Sequence, residues 1–495
     1  VSTLLDLLRP EFDAHTAIIV PEENLKITYA ELRRQVTDVA EALAGLGVSR
    51  GDRVGIALPN GLPVVVTFLA ASIAGTAAPL NPAYREEEFK FYLEDTNAKV
   101  LLLPPDGAED ARRAAGSSVP VVAVTMENGV VRLAGATARK AVAPTADAPA
   151  LILHTSGSTG RPKRVPLGHK NLSISAGNVA RTYELGTTDV SLCVMPLFHV
   201  HGLVASTLAT LSTGGTVVVP AKFTPLSFWR IARDHGATWY SAVPTIHQLL
   251  LARADKSARP AGAEHLRFIR SCSASLPPQV MHDLEDAFGA PVLEAYGMTE
   301  AAHQMASNPL PPRAHKPGSV GPGTGVQISI MDDKGSHLPV GERGEVVIKG
   351  PNVITGYENN PDANATSFVD GWFRTGDQGI LDGEGYLTLV GRLKEMINRG
   401  GEKISPREID EVLLAHPAVA EAVCFGVPHP TWGEEVAAAV VLRETVTESD
   451  LLTHCKERLA DFKRPKQIHI TETIPRTATG KIQRRLVAQA FTKAS

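Results

Sequence analysis

Through its first 150 residues the chain alternates helix-period and strand-period runs, and no other feature limits its fold more. Tyr29–Leu46 carries an apolar stripe at helical spacing, and the Gly51–Asp52 turn leads into the short apolar run Val54–Leu58. Val64–Ala74 predicts a second helix and Thr76–Leu80 a strand; Val100–Leu103 and Val119–Val124 continue the series. This order predicts an α/β fold with a largely parallel sheet, because parallel neighbours need a crossover that is usually helical. Val64–Leu80 is the longest weakly polar run, and Thr67, Gly75 and Pro79 interrupt it. It falls short of the roughly 20 residues a membrane helix needs, so a buried helix and strand are expected there.

The texture changes after Pro309, where HKPGSVGPGTG is followed by short alternating runs at Val326–Met331, Gly344–Lys349 and Tyr386–Val390. A small β-rich subdomain is expected over about 310–391, and a compact βα pattern runs from there to the end. The spacing puts a domain boundary near Gly391–Lys394, giving an N-terminal domain 1–392 and a C-terminal domain 393–495. Lys and Arg (49) nearly balance Asp and Glu (53), a net charge of −4, so nothing marks a nucleic-acid or acidic-membrane partner. Cys193, Cys272, Cys424 and Cys455 lie far apart with no C-x-x-C pair, which excludes a zinc module and favours a reducing compartment. Asp6, Arg9 and Glu11 argue against a signal peptide. The last residues, Thr492-Lys-Ala-Ser495, do not match the peroxisomal S-K-L signal, so a cytoplasmic location is expected.

The most informative segment for chemistry is LILHTSGSTGRPK. An apolar strand, Ala150–Leu153, runs into Thr155, Ser156, Gly157, Ser158, Thr159 and Gly160 and ends at Lys163. Small hydroxyl residues and glycines let backbone N–H groups converge on a polyanion, and the lysine adds a point charge. Pro162 stands five places after Gly157, where a Walker A loop has its second glycine, so a P-loop NTPase is disfavoured. A Ser/Gly surface loop would have the same composition.

TSGSTGRPK resembles the phosphate loop of the adenylate-forming superfamily: acyl-CoA synthetases, luciferases and peptide-synthetase adenylation domains. Its other signatures follow in order: Tyr296-Gly-Met-Thr-Glu300, Trp372-Phe-Arg-Thr-Gly-Asp377, Gly391-Arg-Leu-Lys394, Gly400-Gly401-Glu402-Lys403-Ile404-Ser405-Pro406 and Pro475-x4-Gly480-Lys481. The resemblance spans the chain. It implies a large N-terminal domain of two α/β sheet subdomains and a small β-barrel-like subdomain, followed by a small mobile α+β C-terminal domain. It also implies ATP, Mg²⁺ and coenzyme A, with a carboxylate first adenylated and then passed to a thiol. In that reading Glu300 holds Mg²⁺, Thr299 bonds the α-phosphate, and Tyr296 stacks on adenine beside Ala295. Asp377 and Arg392 clamp the ribose, Lys394 is the hinge, and Gly400 and Gly401 let the pantetheine arm pass. Lys481 swings in during adenylation, and its context resembles lysines modified by acyltransferases, so such an enzyme is a further expected partner. As bare residues, Gly400 and Gly401 would serve a flexible turn equally well, and Lys481 sits in a charge run with Lys463, Arg464, Lys466, Arg484 and Arg485.

The acid pocket is expected from Pro196–Leu203, Tyr240–Gln248, Arg267–Leu276 and Glu294–Met305, which carry His199, His201, His247, Ser271, Ser273, Ser275 and His303. Fatty acids need a long apolar tunnel, whereas these polar side chains suit a short polar acid; a second carboxylate would need buried donors. PLFHVHGL, ATWYSAVPTIHQ, LRFIRSCSASL, FGAPVLEAYGMTEA, ASNPLP and INRGGEKISP resemble the oxalyl-CoA synthetase family of plant and fungal type. That resemblance implies oxalate as substrate, with Ser273 and His303 near it and His199 at the pocket mouth. Another small acid such as malonate or a short fatty acid, or a carrier-loading adenylation reaction, is the alternative. One departure stands out. Arg164 follows Lys163 where the family has glycine, which would add a cation near the phosphates. An acyltransferase built on His282-x3-Asp286 is disfavoured, since that pair sits on an apparent amphipathic helix.

Overall fold

The computed structural model describes residues 3–155, 162–255, 257–476 and 482–492. Two large mixed sheets dominate the first 310 residues. The seven-stranded sheet runs Val130–Leu133, Val121–Glu127, Ala98–Leu103, Arg53–Ile56, Thr76–Pro79, Pro149–Thr155, Lys163–Gly168, parallel except at its two edges. The eight-stranded sheet runs His303–Ser307, Val292–Met298, Phe268–Ser271, Trp239–Ala242, Val190–Leu192, Thr216–Val218, Thr16–Val20, Leu25–Thr28 and is also parallel inside and antiparallel at the edges.

The local signals explain the elements. Thr28 and Glu31 form a reciprocal capping box that starts the helix Tyr29–Gly45. Leu62–Ala74 is apolar on all sides and almost wholly buried, as expected of a helix enclosed by neighbours. A single apolar core joins both sheets, with Val54, Phe68 and Leu151 meeting Leu203 and Val217 in the same cluster. His282 and Asp286 lie on the exposed face of the helix Pro278–Phe288, whose Met281, Leu284 and Phe288 point inward.

The β-rich stretch forms a five-stranded antiparallel sheet from Gln327–Met331, Gly344–Lys349, Trp372–Leu381, Phe368–Val369 and Leu387–Arg392. The register shifts at Glu345/Val347 and Gln378/Gly379, and the pairing path is that of an open sheet. Arg392 is the last residue of this sheet, paired with Asp377. From Ile397 onward the strands belong to a separate sheet: Glu402–Ile404, Ile397–Arg399, Gly433–Leu442 and Val419–His429, with Gln467–Ile470 beside Gly433–Leu442. That sheet has its own core, including Ile397, Leu413, Val436 and Leu451. Among the described residues no helix is long and apolar enough to cross a membrane.

Candidate active site

Parallel strands leave their carboxyl ends on one side of a sheet, and ligands of open α/β sheets bind there. Trp239–Ala242, Phe268–Ser271 and Val292–Met298 are three such neighbours, and functional residues from all four predicted pocket segments gather where they end. Val292–Met298 carries Ala295 and Tyr296 and turns through Thr299–Ala301 into the antiparallel strand His303–Ser307. The two strands approach so closely at Gly297 that a Cβ there would lie 2.2 Å from the carbonyl oxygen of His303. Only glycine fits.

On the nucleotide side, Thr155 and Lys163 face each other across the hairpin that holds the predicted phosphate loop. Ser156, Gly157, Ser158, Thr159 and Gly160 lie outside the described residues, as does Lys481. Thr155 Oγ1 donates to Glu300 Oε1 at 3.4 Å, and the Tyr357 hydroxyl donates to the same oxygen at 2.8 Å. Lys163 Nζ lies 4.4 Å from the centroid of the Tyr357 ring. Burial lowers the Lys163 pKa, attraction to Glu300 opposes that, and repulsion from Lys394 adds to it. Glu300, Lys163, Thr155 and the proposed hinge lysine therefore share one electrostatic field. Beside it the Tyr296 hydroxyl donates to Asp377, and Arg392 Nε meets the other carboxylate oxygen at 3.2 Å. Burial, then the Asp377 carboxylate, pushes the Tyr296 phenol well above its ordinary range. Asp377 in turn raises the Arg392 pKa.

A second polar cluster gathers His201, Ser241, Arg270 and His303, all buried, with Ser273 at its edge. His201 opens a π-helix, His201–Leu208, a form that is rare and frequent at functional sites. Its Nδ1 is 3.1 Å from Ser273 Oγ and its Nε2 is 2.6 Å from Ser241 Oγ. The His201 and His303 rings meet edge-on, 5.2 Å between centroids. Ser273, Ala302 and His303 hold φ of 75°, 51° and 112°, left-handed backbone in non-glycine residues clustered at one site. His199 is half-buried with its ring against Phe198, 4.8 Å between centroids, while His201 bonds Ser273 and meets the His303 ring. His247 is a core residue next to Tyr240, with a pKa lowered by burial to about 3; Ser275 is exposed.

The comparisons with known proteins agree with this geometry. The family model for AMP-binding enzymes matches residues 10–358, and the model for their C-terminal domain matches residues 408–481. The chain belongs to the AMP-binding enzyme family. It is 48% identical to an oxalate–CoA ligase of Arabidopsis thaliana, over 99% of this chain and 98% of the relative. An oxalate–CoA ligase of Saccharomyces cerevisiae is 44% identical over 97% and 95%. The ATP-bound crystal structure of MatB from Rhodopseudomonas palustris superposes with a TM-score of 0.91 at 31% identity, covering 99% of both chains. The full-length relatives are CoA ligases, and this AMP-binding protein is an enzyme of that kind.

The structure adds detail to two parts of this AMP-binding protein, Arg164 and the turn at Gly400 and Gly401. Arg164 points away from Lys163, as strand alternation requires, and its guanidinium is engaged by Asp95 and Glu358. Its Nη1 donates to the Asp95 carbonyl at 2.7 Å and lies 3.3 Å from Glu358, while Nε lies 3.3 Å from the Asp95 carboxylate. Gly400 and Gly401, with φ of 59° and 95°, are the two-residue loop of the hairpin Ile397–Arg399/Glu402–Ile404, a turn that needs left-handed backbone at both positions. Trp432 lies over this turn; a Cβ on Gly400 would come within 2.8 Å of its ring. Ser241, Arg270, Gln304 and Tyr357 went unread in the sequence. A serine or arginine inside an apolar strand gives no periodic signal, and Tyr357 belongs to no motif.

Proposed function

We propose that this enzyme is an ATP-dependent ligase that joins oxalate to coenzyme A. One oxalate carboxylate attacks the α-phosphorus of ATP, the bond to pyrophosphate breaks, and oxalyl-adenylate forms. The CoA thiolate then attacks the oxalyl carbonyl and AMP leaves. The observation that carries this reading is the polar cluster in which His201 bonds Ser273 and Arg270 meets His303, three residues beyond Glu300. A short diacid needs one carboxylate at the phosphate and the other desolvated among donors, because an unpaired buried carboxylate is very costly. The named activity of the two oxalate–CoA ligase relatives supports the same acid.

In this reading Thr155 through Gly160 and Lys163 cradle the phosphates, Thr299 bonds the α-phosphate, and Ala295 and Tyr296 line the adenine. The Asp377 carboxylate accepts from the ribose hydroxyls with Arg392 beside it, and Lys481 supplies positive charge where the two anions meet. Mg²⁺ fits the donor set: it usually takes one or two carboxylates plus substrate phosphates, and Glu300 is a buried carboxylate beside the phosphate hairpin. Domains 1–392 and 393–495 meet at the Lys394 hinge, and Gly400 and Gly401 border the thiol path in the second step. Acylation of Lys481 by a lysine acyltransferase would abolish the first step by removing its charge. A cytoplasmic setting belongs to this reading, supported by four buried free thiols.

The test is pyrophosphate release with a panel of acids, repeated with Ser273→Ala and His303→Ala. Oxalate should stimulate release and give a CoA thioester, and each variant should lose roughly 10–100-fold in kcat/KM for oxalate with ATP binding retained. Oxalate giving the same rate as no acid would remove it as the substrate and leave another small acid or a carrier-loading reaction.

A further inference from the structure

Arg270 lies in the strand Phe268–Ser271 and is fully buried. Its guanidinium reaches four groups: Tyr183 Oη at 2.9 Å from Nε, Ser241 Oγ at 2.9 Å from Nη1, Gln304 Oε1 at 3.0 Å and His303 Nδ1 at 3.5 Å from Nη2. None is a carboxylate, and among the described residues no acid forms a salt bridge with it. A buried cation held only by neutral acceptors is expensive unless something else needs it.

A guanidinium can only donate, so whatever it touches must accept. His303 Nδ1 is therefore an acceptor, and the proton of the neutral ring sits on Nε2. Ser241 Oγ accepts from Arg270 and sends its own hydrogen to its other partner, His201 Nε2 at 2.6 Å. His201 then carries its proton on Nδ1, which donates to Ser273 Oγ at 3.1 Å. That leaves the Ser273 hydroxyl hydrogen for a further acceptor. One cation thus fixes both histidine tautomers, one directly and one through a serine.

We propose that Arg270 and Ser241 are positioning residues that lock His201 as the Nδ1–H tautomer and His303 as the Nε2–H tautomer. This turns the Ser273 hydroxyl and His303 Nε2–H into donors and selects an acid whose far end is a carboxylate. The selectivity half of the proposal rests on the oxalate reading; the tautomer half does not. An acid ending in a methyl group leaves the Ser273 hydroxyl hydrogen without an acceptor, and the polar site rejects it on that ground.

The test pairs side-chain NMR of ¹⁵N-histidine-labelled enzyme, with no acid present, with steady-state kinetics. Signals are assigned from His201→Gln and His303→Gln. In the wild type, His201 should read as Nδ1–H and His303 as Nε2–H; the opposite tautomer at either ring overturns the proposal. Ser241→Ala should shift the His201 signal alone, and should raise KM for oxalate roughly 10–100-fold with KM for ATP within about twofold. Arg270→Lys keeps the charge but loses the planar fork whose separate nitrogens reach Tyr183, Ser241 and Gln304 together, so both histidine signals should change and discrimination between oxalate and acetate should narrow. If both variants fold and keep wild-type tautomers and wild-type oxalate KM, the positioning role is overturned. An acid panel in which wild-type enzyme ignores oxalate overturns the substrate reading, while the acid-free spectrum still decides the tautomers.

Discussion

Glu294 stands two residues before Tyr296 and is a carboxyl group with almost no solvent. One oxygen accepts from the Leu276 N–H at 3.0 Å; the other has no partner among the described residues. Burial pushes its pKa from 4.5 up to about 7, against the pull of Arg407 and of that N–H. The folded chain therefore keeps a proton that the unfolded chain releases above pH 4.5. Stability attributable to this group falls as pH rises from about 4.5 to about 7 and is level beyond that. Glu294→Gln removes the titration, so the variant should gain on the wild type by on the order of 2–3 kcal/mol between pH 4.5 and pH 8. Denaturant unfolding at the two pH values checks this, and a pH-independent difference would rule it out. Single residues were the least legible level of the sequence. Ser273 and His303 stood in recognisable runs, but Arg270 lies in Phe268-Ile-Arg-Ser, where arginine reads as a strand-edge charge. Its meaning comes from Ser241, Gln304 and Tyr183, which lie on other elements and meet only in the folded chain.

At the level of elements the sequence was far clearer. Helical periodicity marked Tyr29–Gly45, because burial of one face leaves a period in the chain, and an unbroken apolar run marked Leu62–Ala74, which is buried all round. Strand order was not legible, since every parallel neighbour here is reached by a crossover whose length does not encode its destination. Arg164 shows how an element adds meaning to a residue. Read linearly beside Lys163 it was a second phosphate cation; in the strand Lys163–Gly168 it faces the other way and ties the hairpin to Asp95 and Glu358. Glu358 follows Tyr357, which donates to Glu300, so the anchor runs from the phosphate hairpin to the carboxylate of the site. Arg164→Ala should cost about 1–2 kcal/mol of stability and raise KM for ATP several-fold, with KM for the acid little changed. An unaltered KM for ATP would show that the hairpin holds its place without this anchor.

Among the described residues, two hydrogen bonds tie the start of the C-terminal domain to the strand before it. Arg407, on the helix Pro406–Leu414, donates through Nη1 to the Leu389 carbonyl at 2.6 Å, and Ser405 Oγ donates to the Val390 carbonyl at 2.6 Å. Both acceptors lie on Leu387–Arg392, the strand just before the proposed hinge at Lys394. The proposed rotation of the C-terminal domain would break both bonds, because the donors lie beyond the proposed hinge and the acceptors before it. A charged donor to a carbonyl contributes about 1.5–3 kcal/mol, enough to shift a two-state orientation roughly 10–100-fold. Helix Arg484–Thr492 is held within its own domain by the ion pair of Arg484 with Asp410, so it should move as part of that domain. Arg407→Ala should therefore release the domain without unfolding it. Spin labels placed on the exposed sites Glu87 and Glu457 should show one dominant distance in the wild type and a broadened or second population in Arg407→Ala. Arg458→Ala, whose partner is the neighbouring Glu457, should leave the distribution unchanged when the second label is moved to Lys456. A single unchanged distance in Arg407→Ala would mean that the orientation is set elsewhere, by contacts around the hinge itself.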